Sequence, residues 1–402
     1  MRVDTVSSEM PPTFIRNTIS VSLKTASHMT KKDVKTNLLN HSEAKVRLLG
    51  EYLKRYLNII CNDGYTKRIK IYDLFCGEGL YENGGEGSPL VTMRQIKDIH
   101  FVNVAKASTM PKIDCHFNDI EESKVKKVEQ SLKDKSLYYP DYGDLQFSTE
   151  DYQIQFEKLL AELPKLKTLN NKAFIFIDPY EYKHIKATQI KNLMSKGNSE
   201  VLLWLPTQFM YRFASNGTPE ALKDFITEII PNFSEWRPGN VWNFISELKL
   251  GFQNFLANNF FVDTFTIQKD TNTVFCLFFF TSHIKGFEKM LEAKWEIDTE
   301  YGKGWDYAGN TLSLFHEHKT NPLELKLKEF LQEKTRYNGE VYEFTLRQGF
   351  LPKHTNEIFN NWQNNSKLQV LTGSGEKARK KSFYIAYNYF KADNKKVNFT
   401  LK

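Results

Sequence analysis

The sequence predicts a doubly wound α/β domain followed by a small basic domain, and three observations carry that reading. Short apolar strands alternate with longer amphipathic segments through the first half of the chain, which is the pattern of a parallel sheet covered on both faces. A Gly-x-Gly turn follows the first of these strands. The positive charge excess is not spread along the chain but lies beyond residue 320.

The elements follow in order. Residues 1–35 are polar and carry Pro11-Pro12, which reads as a flexible or loosely docked arm. Ala44, Val46, Leu48, Leu49, Tyr52, Leu53, Tyr56, Leu57 and Ile60 recur at helical spacing, with Ser42 as the expected cap. Strands are expected at Lys70 to Phe75, Ile113 to Phe117, Leu145 to Ser148, Ala173 to Ile177 and Glu200 to Leu205. Helical stretches such as Glu121 to Leu132 and Tyr152 to Leu163 lie between them. Phe261 to Ile267 and Val274 to Thr281 read as a closing hairpin. A boundary near Thr320-Asn321-Pro322 divides a domain at 36–318 from one at 319–402. The second part reads as helices at Leu323 to Lys334, Val341 to Gly349 and Pro352 to Gln363, then strands at Leu368 to Leu371 and Ser382 to Tyr389. That is the outline of a winged helix.

Composition narrows the functional classes. Of 402 residues 41% are hydrophobic, enough for a sizeable core, yet no apolar run approaches the roughly 20 residues that span a bilayer. The first thirty residues lack the apolar centre of a secretory signal, so a cytoplasmic protein without membrane attachment is expected. Cys61, Cys76, Cys115 and Cys276 show no metal-ligand spacing, and neither a metal site nor a disulfide framework is expected. The net charge of +7 is the charge of residues 321–402, where 15 Lys and Arg face 8 Asp and Glu, while the rest of the chain balances. A polyanion-binding module at that end is the inference.

The chemistry-bearing motifs sit at strand ends. In Asp73-Leu74-Phe75-Cys76-Gly77-Glu78-Gly79 an acidic strand end leads into Gly77 and Gly79, which let backbone pass close to a nucleoside ligand. The absence of a third glycine argues against a dinucleotide. Asp73, Phe75, Cys76, Gly77 and Gly79 are therefore assigned to a cofactor, with Cys76 not read as a nucleophile. Asp119 at the end of the second strand is the choice for the ribose hydroxyls, with Glu121 second, and a solvated helix cap is the competing reading for both. Glu150 and Asp151 after the third strand either bracket an adenine ring or open the next helix as a cap. The fourth strand delivers Asp178-Pro179-Tyr180, a carboxylate beside a fixed turn and a flat ring. Such a set can hold a flipped base by its exocyclic amine, with a structural strand-end turn as the competing reading; amino-nitrogen methyltransferases use a similar Asp-Pro-Pro-Tyr, and the proline missing here displaces the ring by one residue.

At these residues the chain resembles the three-Cys-motif partner (TcmP) family. The matching pieces are Asp73 to Gly79, then Gly87-Ser88-Pro89-Leu90, then Asp178-Pro179-Tyr180, with His41 and Lys45 of the leading helix and the segment Met290 to Gly302. The likeness spans residues 36–310 and adds Ser88 and Pro89 to the cofactor set. It departs where the family has Ala-Gly-Pro-Gly for Cys-Gly-Glu-Gly, and where a glycine usually stands at Glu181. The resemblance implies a fold of the S-adenosylmethionine-dependent methyltransferase type, a C-terminal winged helix, a prokaryotic or mobile-element origin and a separate three-cysteine, radical-enzyme-like partner.

In the basic end, Lys377, Arg379, Lys380 and Lys381 follow a Gly-Ser-Gly turn where a wing meets phosphates, unless the run is a plain solvated turn. Lys353, His354, Asn356, Asn360, Asn361 and Gln363 lie on or near the third helix, placed to contact nucleic acid, DNA or RNA. The leading expectation is methyl transfer from S-adenosylmethionine to an amino nitrogen of nucleic acid. The alternative is a non-catalytic accessory that brings the three-Cys-motif protein to nucleic acid. Metal-dependent phosphate chemistry through Asp178 and Glu181 ranks last, for want of carboxylate–lysine clusters.

Overall fold

The computed structural model describes residues 40–179, 185–196, 198–214, 219–231, 238–257, 259–306 and 322–402. The N-terminal arm and Tyr180 lie outside them. Helix α1 (Asn40–Ile60) precedes strand β1 (Arg68–Asp73), α2 (Ser88–Ala105), β2 (Lys112–Asn118), α3 (Glu122–Asp134), β3 (Leu145–Ser148), α4 (Tyr152–Thr168) and β4 (Lys172–Ile177). Then come α5 (Ala187–Lys196), β5 (Ser199–Leu205), α6 (Thr207–Ala214), α7 (Glu220–Ile229) and α8 (Val241–Leu256). The hairpin β6 (Phe261–Asp270) and β7 (Thr273–Thr281), α9 (Ile284–Ile297) and the short β8 (Gly304–Asp306) close this part.

The eight strands form one sheet in the order β3-β2-β1-β4-β5-β7-β6-β8. The first five pair in parallel, and β7 runs antiparallel to both β5 and β6. Strand parity sorts the side chains into two cores. Ile69, Ile71, Phe174, Phe176, Leu202 and Trp204 face α1, α2, α3 and α9. Ala173, Ile175, Ile177, Val201, Leu203 and Leu205 face α4 to α8. The strands and the hairpin lie where the sequence places them, within one to three residues at each end. Ser42, expected to cap the leading helix, lies inside α1 instead.

The C-terminal elements are α10 (Pro322–Glu333), β9 (Arg336–Tyr337), α11 (Asn338–Arg347), α12 (Pro352–Asn364), β10 (Leu368–Thr372), α13 (Tyr387–Lys391) and β11 (Val397–Leu401). The three helices stand as expected, but the second strand of the hairpin does not. β10 pairs with β11, Val370 opposite Phe399, and not with Ser382 to Tyr389. That aromatic stretch satisfies the core without a ladder, since Phe383 and Ile385 are buried from irregular backbone. Positive φ at Lys381 (65°) and Tyr384 (55°) interrupts any extended run there. The Asn338 side chain ties the loop by donating to the carbonyls of Tyr384 and Asn394 at 3.3 and 3.0 Å.

This unit is docked on the α1 side of the sheet. The Trp295 indole N–H of α9 donates to the Gly349 carbonyl at 3.0 Å, and its ring lies 4.2 Å from that of His354 on α12. Tyr342 donates to Glu288 at 3.0 Å, and the Arg347 guanidinium covers the Phe261 ring at 4.4 Å.

Candidate active site

Parity places the predicted carboxylates together. Ile71 and Phe176 point to the α1 side, so Asp73 and Asp178, two residues further on, end their strands on that same face. Phe117 does so on β2 and carries Asp119 with it. On the other side of β4, Trp204 of β5 and Phe275 of β7 share the face, their rings stacked at 4.9 Å and 19°. The carboxyl edge of the sheet therefore reads Asp119, Asp73, Asp178, Trp204, Phe275 in strand order. Ligand sites of doubly wound sheets form at this edge, where strand order reverses between neighbouring strands.

The two glycines of the β1 turn have different tasks. Gly77 sits at φ +61°, and its N–H donates to Oδ2 of Asp119 at 3.1 Å. A Cβ there would meet only the Tyr81 hydroxyl, at 4.0 Å, so the turn faces open space. Gly79 has φ +74° and is a packing residue, since a Cβ would press on Leu90 and Val128 at 2.9 Å. The Gly87 N–H donates to the Gly79 carbonyl at 2.6 Å, which closes the loop onto the start of α2. Ser88 and Pro89 form the first turn of α2, both buried, and Ser88 bonds Asp73. Pro89 presets the helical φ at no cost in hydrogen bonding.

The electrostatics centre on Asp73. It is 2% exposed, and its Oδ2 has no hydrogen-bond partner among the described residues. Burial pushes its carboxyl up to about 7, with the nearby Asp178 charge adding to the shift and the Ser88 bond opposing it. Asp178 pairs with Lys45 of α1, Asp119 lies 3.7 Å from Lys124, and Glu78 is 3.2 Å from Lys127. The half-buried Tyr81 phenol stands among all four carboxylates and is pushed up to about 12, chiefly by burial. Such a site favours a cationic ligand whose charge answers Asp73.

The third strand is organised by Asn118, a residue the sequence reading passed over. Its amide donates to the carbonyls of Leu74 and Glu150 at 3.3 and 3.0 Å, and its Oδ1 accepts from the Glu150 N–H at 3.1 Å and the Ser148 hydroxyl at 2.7 Å. Asp151 caps α4, accepting from the Gln153 N–H at 2.8 Å, and Glu150 is held by Lys158 at 2.5 Å. Phe75 stacks on Tyr152 at 5.0 Å. Cys76 is buried, and burial holds its thiol far above its ordinary range, so it is inert. Pro179 is buried directly after Asp178. Trp204 and Phe275 also went unread, because a ring in an apolar strand looks like core; counting alternate positions along β5 is the signal that places Trp204 beside Asp178.

The basic residues of the winged unit lie on α12 and on the loop after β10. Lys353 on α12 and Lys377, Arg379, Lys380 and Lys381 are all exposed. Buried Ala378 anchors the loop, its N–H donating to the Val370 carbonyl at 2.9 Å, while the flanking cations project outward. The Lys381 N–H donates to Gln363 Oε1 at 3.0 Å, which fastens the loop to the end of α12. His354, by contrast, is turned inward onto Trp295, and burial pushes it down to about 4. Among the described residues no helix is long and apolar enough to cross a membrane, and no group of three or more His, Cys, Asp or Glu side chains is arranged to hold a metal ion.

The family comparison bears on the C-terminal unit. Residues 304–375 match the model of a GMT-like wHTH domain. No curated protein matches the chain. Among solved structures the chain is similar to the bifunctional kinase-methyltransferase WbdD at 11% identity and a TM-score of 0.32, over 60% of this chain and 39% of that one. It thus spans about two fifths of the length of WbdD. It is similar to the methyltransferase domain of bacterial CtHen1-C at 14% identity and a TM-score of 0.28, over 58% of this chain and 98% of that one. A third is the O-methyltransferase from Bacillus cereus in complex with SAH, at 10% identity and a TM-score of 0.29, over 57% and 80% of the two chains. With its single antiparallel strand between β5 and β6, the sheet is a Rossmann-like fold of the S-adenosylmethionine-dependent methyltransferase type, and a winged helix follows it.

Proposed function

We propose that the chain is an S-adenosylmethionine-dependent methyltransferase acting on an amino nitrogen of nucleic acid, DNA or RNA. The observation that carries the cofactor half is the unpartnered, buried Oδ2 of Asp73 beside a Gly77 turn that faces open space. These residues fit the cofactor: a carboxylate without a cation suits its ammonium or sulfonium charge, and a glycine backbone admits its close approach. When bound, S-adenosylmethionine supplies an electrophilic methyl group. Asp73, Gly77, Ser88 and Asp119 would hold it, with Asn118 fixing the loop that follows β3.

Asp178 follows the end of β4, two residues beyond Phe176, the partner of Asp73, and accepts a hydrogen bond from Lys45, which suits an amine that must be held and oriented. Its role is positioning and acceptance of the N–H, and no cysteine nucleophile is needed. The exposed cations from Lys353 to Lys381 suit the phosphate backbone of the nucleic acid. Membership of the three-Cys-motif partner family, a separate three-cysteine partner protein and a cytoplasmic setting belong to the same reading.

A second reading has its own observation. Lys45 already pairs with Asp178, which is how a non-catalytic accessory that merely recruits its partner to nucleic acid would look. Titration calorimetry with S-adenosylmethionine and S-adenosylhomocysteine decides between them. Binding that disappears in Gly77→Asp supports the enzyme; no heat from either ligand, in protein shown to be folded, leaves the accessory.

A further inference from the structure

Helix α1 lays two side chains one turn apart, His41 and Lys45, over the carboxyl edge of β4, β5 and β7. The Lys45 ammonium makes two contacts there. It pairs with Asp178, and it lies 4.8 Å over the Trp204 ring. Trp204 stacks on Phe275 at 4.9 Å, and Phe275 on His41 at 5.5 Å and 9°, so three near-parallel rings stand in a row beside the carboxylate. β4 and β5 are parallel with Ile177 opposite Leu203, which makes Asp178 and Trp204 the next pair across the strands. Lys45 and Asp178 keep only 13% and 20% of their side-chain surface, so the ion pair is largely withdrawn from solvent.

Asp178 offers an acceptor for N–H donors, and Trp204 offers a flat π face. The ammonium satisfies both at once, by ion pairing and by its attraction to the ring face. An amino-substituted heterocycle satisfies the same two groups: its exocyclic N–H donates to the carboxylate and its ring stacks on the indole. We propose that Lys45 is a gate standing in for the acceptor, and that Asp178 with Trp204 forms a subsite for a base bearing an exocyclic amine. The long lysine stem lets the head group swing out to solvent when such a base enters. A base without that amine leaves Asp178 facing no donor and does not displace the lysine, which makes the gate a filter. This assignment rests on the acceptor half of the proposed function and adds to it the ring platform and the competitor.

The test uses the full chain and three free nucleosides, deoxyadenosine, deoxycytidine and thymidine, titrated by saturation-transfer NMR. Lys45→Ala should bind at least one of the two amino nucleosides tenfold or more tightly than the unaltered protein does, with thymidine unchanged. Lys45→Arg, which keeps the charge over Asp178, should remain closed. Adding Trp204→Phe to Lys45→Ala should keep most of the gain, and adding Asp178→Asn should remove it. No gain in folded Lys45→Ala, or an equal gain for thymidine, overturns the proposal. S-adenosylhomocysteine calorimetry on the same Lys45→Ala protein separates the two ideas. A nucleoside gain without cofactor heat sinks the cofactor reading and keeps the subsite; cofactor heat without a nucleoside gain does the reverse.

Discussion

Gly77 donates its main-chain N–H to the Asp119 carboxylate at 3.1 Å, across 42 residues of chain. The other Asp119 oxygen accepts from the Glu121 N–H at 2.9 Å, so this one side chain fixes both the β1 turn and the start of α3. A residue chosen from the sequence for a ligand's hydroxyls thus also shapes the backbone on which the ligand would rest. That double use explains why the turn stays in a conformation that only glycine adopts freely.

The two glycines should fail differently. Gly77→Asp puts a third carboxylate beside Asp73 and Asp119 and strains a φ of +61°, and should abolish S-adenosylhomocysteine binding. Gly77→Ala, strained by about 1 kcal/mol, should retain weakened binding. Gly79→Ala should act on the fold, because its Cβ meets Leu90 and Val128 at 2.9 Å. Calorimetry paired with thermal denaturation checks this: a Gly79→Ala protein of unchanged melting temperature would contradict the packing role.

Asp73 makes cofactor binding depend on pH. Its folded carboxyl stands at about 7 against an ordinary 3.8, so between those values the native state holds a proton that the unfolded chain has lost. Its contribution to stability therefore falls as pH rises through that window and is most unfavourable above about 7. A cationic ligand draws on the ionised form. S-adenosylmethionine affinity should therefore rise from about pH 6 to about pH 8, and S-adenosylhomocysteine, without the sulfonium, should show a shallower slope. Asp73→Asn should flatten the profile; a profile unchanged by that substitution would remove Asp73 from the ligand's surroundings.

How far the sequence reached can be seen at particular residues. Strand parity and the glycine turn are local signals, so β1 to β5 and the placement of Gly77, Asp119 and Asp178 at strand ends were legible from the chain alone. The alternation along β5 places Trp204 beside Asp178 as well, but its contact with Lys45, 159 positions earlier, has no local signal and arises only through the packing of α1. The pairing of β10 with β11 escaped for a related reason. Ser382 to Tyr389 has strong strand propensity, and what overrides it is the burial of Phe383 and Ile385 together with the Asn338 side chain, all tertiary effects. The docking of α12 on Trp295 likewise has no local mark, since His354 reads as an exposed helix residue until α9 is packed against it.

That docking should be separable from the fold of the sheet. Trp295→Ala removes the bond to Gly349, the contact with His354 and a buried ring, a loss of about 3 kcal/mol. Limited proteolysis should then release the C-terminal unit, while the aromatic circular dichroism of the sheet domain persists. A variant as resistant as the parent would show that Tyr342–Glu288 and Arg347–Phe261 suffice.

His41 gives the protein an acid limit. It is 9% exposed, and burial, with Lys269 and Lys45 nearby, pushes it down to about 4 from 6.5. A histidine lowered on folding is neutral in the native state while the unfolded chain takes up a proton, so stability is full above about 6.5 and is lost as pH falls toward 4. The loss is at most about 3 kcal/mol. His41→Phe keeps a ring against Phe275 and should remove that slope, read from urea unfolding at neutral and mildly acidic pH. A slope equal to that of the parent would assign the acid sensitivity elsewhere.

The basic loop gives a measurable electrostatic count. Lys377, Arg379, Lys380 and Lys381 are exposed, and buried Ala378 holds the loop in place between them, so their replacement by alanine should leave the winged unit folded. Each phosphate contact contributes about 0.9 to the slope of log affinity against log salt on duplex DNA and about 0.7 on single strands. The fourfold alanine variant should therefore lose about 3.6 from that slope on duplex DNA or about 2.8 on single strands. Lys353→Ala alone should lose about 1, which places α12 on the same phosphate track. A loss confined to the loop residues would mean that α12, held inward through His354, does not reach the duplex. An unchanged slope in both variants would move the charge excess from nucleic acid to another polyanion.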